Sequence, residues 1–113
     1  MLGDTHRERT HDQILHKGQV LYQRCLSKGD RDCVEAFVAH ELARHPHDVA
    51  ALEEYLAWLH AQRGGLLRQR RSALSFSGRV AVEQQLALTN GLISNIIYQL
   101  YGLHEADFGL GEQ

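Results

Sequence analysis

Apolar side chains recur along this chain at steps of three and four residues. No four-residue stretch alternates cleanly with β-branched residues, so the pattern predicts helices and no strands. The most regular stretch runs from Val80 to Leu103. Val82, Leu86, Thr89, Ile93, Ile96, Leu100 and Leu103 follow one another at steps of 4-3-4-3-4-3, an a/d heptad stripe. Leu92, Ile97 and Tyr101 widen it, so the helix is apolar over about half its circumference, more than a surface helix of a small monomer needs. Such a helix either lies centrally in a bundle or pairs its second face with another chain. Gly102 is placed to stop it, where a left-handed residue closes a helix.

Three further helices are predicted upstream. Residues 1 to about 10 are expected to be frayed, with Thr10 as the N-cap of a helix from His11 to Ser27. Ile14, Leu15, Val20, Leu21, Cys25 and Leu26 form its apolar face, Gly18 weakens it locally, and Gly29 ends it. A second helix starts between Asp30 and Asp32 and runs to Arg44 through Val34, Phe37, Val38, Glu41 and Leu42, with Pro46 just beyond its end. A third, capped by Asp48, carries Val49, Leu52, Tyr55, Leu56, Leu59, Leu66, Leu67 and Leu74. Gly64 and Gly65 lie inside it and are expected to cost about 2 kcal/mol, enough to kink or break it. Ser75 to Gly78 is read as a turn. A connection that short makes the third and fourth helices antiparallel neighbours. The expected fold is all-α: one domain over 1–113, a four-helix bundle with a long antiparallel C-terminal helical hairpin over 48–103.

Composition narrows the classes of function. A chain of 113 residues with 43% hydrophobic residues is one folded domain. Its net charge of −2 argues against general nucleic-acid binding. No run of eighteen apolar residues exists to span a membrane. The polar start of the chain lacks a signal-like apolar segment, so the cytoplasm is the expected location and no membrane partner is expected. Cys25 and Cys33 flank a turn and read as small buried hydrophobes, with an adventitious disulfide as the lesser alternative.

Candidate chemistry is sparse. The chain has eight histidines, and His40-Glu41 with His45 superficially resembles H-E-x-x-H. Its spacing is one residue too long, however, because positions five apart on a helix differ by about 140°. His6, His11 and His16 share that defect, and His45, His47 and Asp48 offer only a loose set, so no metal or other cofactor is expected. There is no nucleophile elbow and no phosphate-binding glycine loop; Gly109-Leu110-Gly111 does not open a helix. The acidic pairs Glu53-Glu54 and Glu105/Asp107 suit helix dipoles and solvation. The chain is expected not to be an enzyme. Arg63, Arg68, Arg70 and Arg71 form the one basic cluster and are candidates for phosphate contact. A solvated face, or one paired with acids of another helix, is the plainer reading. Residues 21–62 also carry a faint tetratricopeptide rhythm, although Tyr22, Val34 and Glu41 fall where that repeat wants small residues.

Residues 79–112 resemble the C-terminal helical tail of type IIG restriction–modification enzymes, single chains that fuse an endonuclease, an adenine-specific DNA methyltransferase and a target-recognition domain. Ile93, Ile96, Ile97, Tyr98, Leu100, Tyr101, Gly102, Leu103, Glu105, Asp107 and Phe108 fit that tail in register. Residues Leu59 to Leu74 fit the preceding arm of its hairpin more loosely. Asn90 and Ser94 stand where the family often has aspartate, Gln99 where it has glutamate and His104 where it has threonine. The methyltransferase signature N-P-P-[YF] is absent; Asn90 and Asn95 precede Gly and Ile. The resemblance therefore implies only a structural role: a hairpin that spaces, docks or dimerises domains around DNA. The expected function is a non-enzymatic interaction and dimerisation module, an accessory or regulator of a restriction–modification system. Its expected partners are a second copy through Val82, Leu86, Thr89, Ile93, Ile96, Leu100 and Leu103, a DNA methyltransferase or restriction enzyme, and weakly DNA. A tetratricopeptide-like adaptor and a small DNA-binding regulator using the arginines at 63–71 are the alternatives.

Overall fold

The chain turns at three short connections, residues 29–31, 45–49 and 73–75. These divide it into α1 (Leu2–Lys28), α2 (Asp32–Arg44), α3 (Ala50–Ser72) and α4 (Phe76–Tyr101). The computed structural model describes residues 2–102, and side chains from Thr10 onward. Among the described residues there is no strand. No helix is long and apolar enough to cross a membrane. The molecule measures 53 × 35 × 21 Å, and its shortest dimension equals two helix diameters, so the helices lie in two layers.

Helix ends follow local chemistry. Gly29 (φ 71°) and Gly102 (φ 70°) take left-handed conformations at the ends of α1 and α4. The Gly29 amide donates to the Cys25 carbonyl at 2.8 Å, and the Gly102 amide to Tyr98 at 2.7 Å. The Asp30 carboxylate accepts from the Asp32 amide at 2.9 Å, serving the start of α2.

Four boundaries differ from the sequence reading. Helix α1 begins at Leu2, so Thr10 lies inside it and is not its N-cap. The stretch from Asp4 to Gln13 has no proline or glycine, and its Arg and Glu residues favour helix. Helix α3 starts behind Val49 without a side-chain cap, so Asp48 does not cap it. Gly64 and Gly65 do not interrupt α3; the buried Leu59 and Leu66 hold the helix to its neighbours on either side of them. Ser75 is not part of a turn running to Gly78. It is the N-cap of α4, its hydroxyl accepting from the Gly78 amide at 3.0 Å, so α4 starts one turn before Val80.

The main core draws on all four helices. Tyr22 and Cys25 of α1, Val34, Phe37 and Val38 of α2, Leu52, Tyr55, Leu56 and Leu59 of α3, and Leu92, Ile93 and Ile96 of α4 are buried together. Its centre is aromatic. Trp58 meets Tyr22 edge-on at 5.3 Å and stacks on Tyr55 at 6.0 Å. Gly18 is explained by close approach: a Cβ there would lie 2.8 Å from the Tyr55 ring and 3.1 Å from Phe37. The Tyr55 hydroxyl donates to the Gly18 carbonyl at 2.6 Å. A second, smaller core of Leu66, Val82 and Leu86, with Leu67 against it, belongs to α3 and α4 alone. The molecule is thus a four-helix body from which the end of α3 and the start of α4 continue as a two-helix arm.

Candidate functional site

The heptad stripe of α4 faces inward. Val82, Leu86, Thr89, Ile93 and Ile96 are buried within the chain and Leu100 is half-buried; Leu103 lies outside the described residues. Of the residues that widen the stripe, Leu92 is fully buried, Ile97 is half-buried, and Tyr101 is exposed. Thr89, the one polar member, is satisfied: its hydroxyl donates to the Gln85 carbonyl at 2.8 Å and accepts from Tyr22 at 2.8 Å. Burial raises the Tyr22 pKa by disfavouring the phenolate.

The outward face of α4 on the arm was not singled out by sequence reasoning. Phe76, Val80, Glu83 and Ala87 recur at steps of 4-3-4 and so share one side of the helix. Phe76 is 84% exposed, Val80 38%, and Leu74 in the preceding link 100%. Phe76, Arg79, Val80, Glu83, Gln84 and Ala87 line an open, apolar-floored cavity of about 430 Å³ on this face. A helix N-terminal half that packs on only one neighbour leaves such a face uncovered.

The four arginines do not act together. The Arg63 guanidinium donates to the Asn90 side chain at 2.6 Å, and Arg70 pairs with Glu83 at 3.4 Å. Both pairs bind α3 to α4. Arg68 lines a polar cleft with Tyr22, Gln23, Gln69 and Gln85. Arg71 is exposed.

A polar cavity of about 460 Å³ lies where α2 meets α4, lined by Arg31, Glu35, Asn90, Gly91, Ser94, Asn95 and Tyr98. Its geometry is structural. The Arg31 side chain lies directly over Gly91, where any Cβ would collide with it. Arg31 also pairs with Glu35 at 3.5 Å. Gln99 bridges the helices by donating to the Glu35 carbonyl at 3.2 Å and to Asn95 at 2.6 Å.

Titratable groups elsewhere serve the fold. Cys25 and Cys33 are both free thiols. Burial, reinforced by the neighbouring Cys33 and Asp30, pushes the Cys25 thiol up to about 11, which leaves it unreactive. Burial likewise raises Tyr55. His11 meets Glu54 at 2.7 Å, and Tyr101 donates to Glu53 at 2.8 Å. Among the described residues, no three His, Cys, Asp or Glu side chains gather as a metal site. At the positions where a tetratricopeptide repeat has small residues, Tyr22, Val34 and Glu41 are buried and bulky.

No protein-family model matches the chain, and comparisons with curated proteins and with solved structures likewise find no match.

Proposed function

We propose that this protein is a non-enzymatic helical interaction module that self-associates through its arm. On the resemblance of residues 79–112, we place it as a cytoplasmic accessory or regulator of a DNA restriction–modification system. The observation that carries the reading is the uncovered Phe76–Val80–Ala87 face beside the fully exposed Leu74. Isolated surface hydrophobes need no explanation, but Phe76, Val80 and Ala87 on one helix face beside Leu74 make an exposed apolar patch, and such patches mark interaction surfaces. The heptad stripe proposed as the interface at Val82, Leu86, Thr89, Ile93 and Ile96 is occupied by the chain's own core. A partner therefore meets the opposite side of α4. The hairpin supplies the rigidity. Tyr101 meets Glu53, Asn90 meets Arg63 and Glu83 meets Arg70, so rising positions on α3 meet falling positions on α4, as an antiparallel pair requires.

A second reading is favoured by the tip of the arm. Arg68, Arg71 and Arg79 have no acidic partner among the described residues, which suits contact with nucleic-acid phosphate. Sedimentation velocity combined with DNA-shift assays at two salt concentrations separates the two. A dimer that leaves DNA unshifted supports the interaction module. A monomer whose DNA affinity falls with salt as several counterions are released favours the DNA-binding regulator.

A further inference from the structure

We infer that the partner of the arm is a second copy of this chain, docked antiparallel on the α4 face from Phe76 to Ala87 about a twofold axis between Val80 and Glu83. This rests on the self-association proposed above and assigns its surface and its contacts.

The face is complementary to its own reverse. When two copies of α4 run in opposite directions across this axis, Phe76 of each lies opposite Ala87 of the other, a large side chain over a small one. Val80 of each lies opposite the aliphatic stem of Glu83 in the other, whose carboxylate stays at the rim. Arg79 and Glu83 stand four residues apart on the flank nearest α3, so each Arg79 approaches the other copy's Glu83, and the twofold makes that pair twice. Glu83 is about half exposed and carries one contact, to Arg70 at 3.4 Å, which leaves the carboxylate able to accept a second guanidinium. A parallel arrangement would instead set Arg79 against Arg79 and Phe76 against Phe76.

The seam extends from 76 to 87, about 17 Å at 1.5 Å per residue. It is shorter than a standard interface, which buries at least ~1,200 Å² in total. The dimer is therefore weak and concentration-dependent.

Sedimentation equilibrium over a wide concentration range tests this on the full chain. Phe76→Asp removes the one aromatic anchor that each copy brings to the seam and is expected to weaken association at least ~30-fold. Arg79→Glu and Glu83→Arg are each expected to weaken self-association, and the two single variants mixed should form a heterodimer, because every cross-axis pair is then again of opposite sign. Val20→Asp, at an exposed apolar position on α1, is the control and should dimerise like the wild type. Thermal melting of each variant verifies folding, since all four positions lie outside both cores. If the wild type dimerises but Phe76→Asp does too, and the mixed variants do not associate, the assigned face is wrong while self-association stands. If the wild type stays monomeric at several hundred micromolar, the self-association reading falls along with it.

Discussion

Single residues in this protein are chosen by what lies opposite them. Gly18 is the clearest case. Helix propensity alone says that alanine would be better there by about 1 kcal/mol. The Tyr55 ring reverses that preference, because a Cβ at 2.8 Å must push the ring and its 2.6 Å hydrogen bond aside. Gly18→Ala is thus expected to destabilise the protein by about 1–3 kcal/mol, as overpacked cores do; a chemical denaturation midpoint that rises instead would show the ring has room to move. Gly64 and Gly65 are the counterpart. A Cβ at either would lie no closer than 3.7 Å to any neighbour, that neighbour being the Arg68 guanidinium. Gly65→Ala should therefore stabilise by about 1 kcal/mol, raising Tm by several degrees. Thr89 shows the same logic with polarity. Thr89→Val removes the acceptor of the buried Tyr22 hydroxyl and should cost about 1–3 kcal/mol despite the near-equal volume, measurable by equilibrium unfolding.

At the scale of elements, the end of each helix was legible where glycine or proline punctuates it. Gly29 and Gly102 end α1 and α4, and Pro46 follows α2. Starts were less legible. Reading Ser75 to Gly78 as a turn leaves Phe76 outside α4, and with it the outward row that begins there. That row is also interrupted by Glu83, so it lacks the unbroken apolar signature of the Val82–Leu103 stripe. The stripe itself was plain in the sequence, but what covers it was not. A heptad seam against the chain's own helices and one against a second chain have the same spacing. What distinguishes them is the aromatic cluster of Tyr22, Tyr55 and Trp58, contributed by helices far away in sequence. Ser75→Ala removes the one side-chain cap of α4 and should cost about 1 kcal/mol. Because the arm has its own small core, that loss should appear first as faster amide exchange over residues 76–88, with the body still protected.

For the whole molecule, the buried titratable groups set the alkaline limit of stability. Cys25, Tyr22 and Tyr55 all have raised pKa values because burial disfavours their anions. A folded-state pKa above the unfolded one contributes stability that is complete below the unfolded value and is lost as pH rises towards the folded value. For Cys25 that window runs from 9.0 to about 11. The tyrosines join from 10.0 upward. Unfolding free energy should therefore begin to fall near pH 9 and fall more steeply above pH 10, by up to ~1.4 kcal/mol per pH unit for each group. Denaturation midpoints at pH 8, 9.5 and 10.5 check this, and Cys25→Ala should flatten the first part of the decline.

The separation of the two cores also makes length an independent variable in this architecture. Beyond the body, α3 and α4 touch chiefly each other, through Leu66, Val82 and Leu86. Seven residues of matching heptad pattern added to each helix in the arm would advance both by close to two turns, about 10.5 Å, and return the seam to its starting orientation. The two-helix arm can thus act as a ruler: the distance between body and tip can change in whole heptads while the fold that holds it stays the same. An insertion of three or four residues in one helix alone would instead rotate Phe76, Val80 and Ala87 out of line with the rest of the molecule.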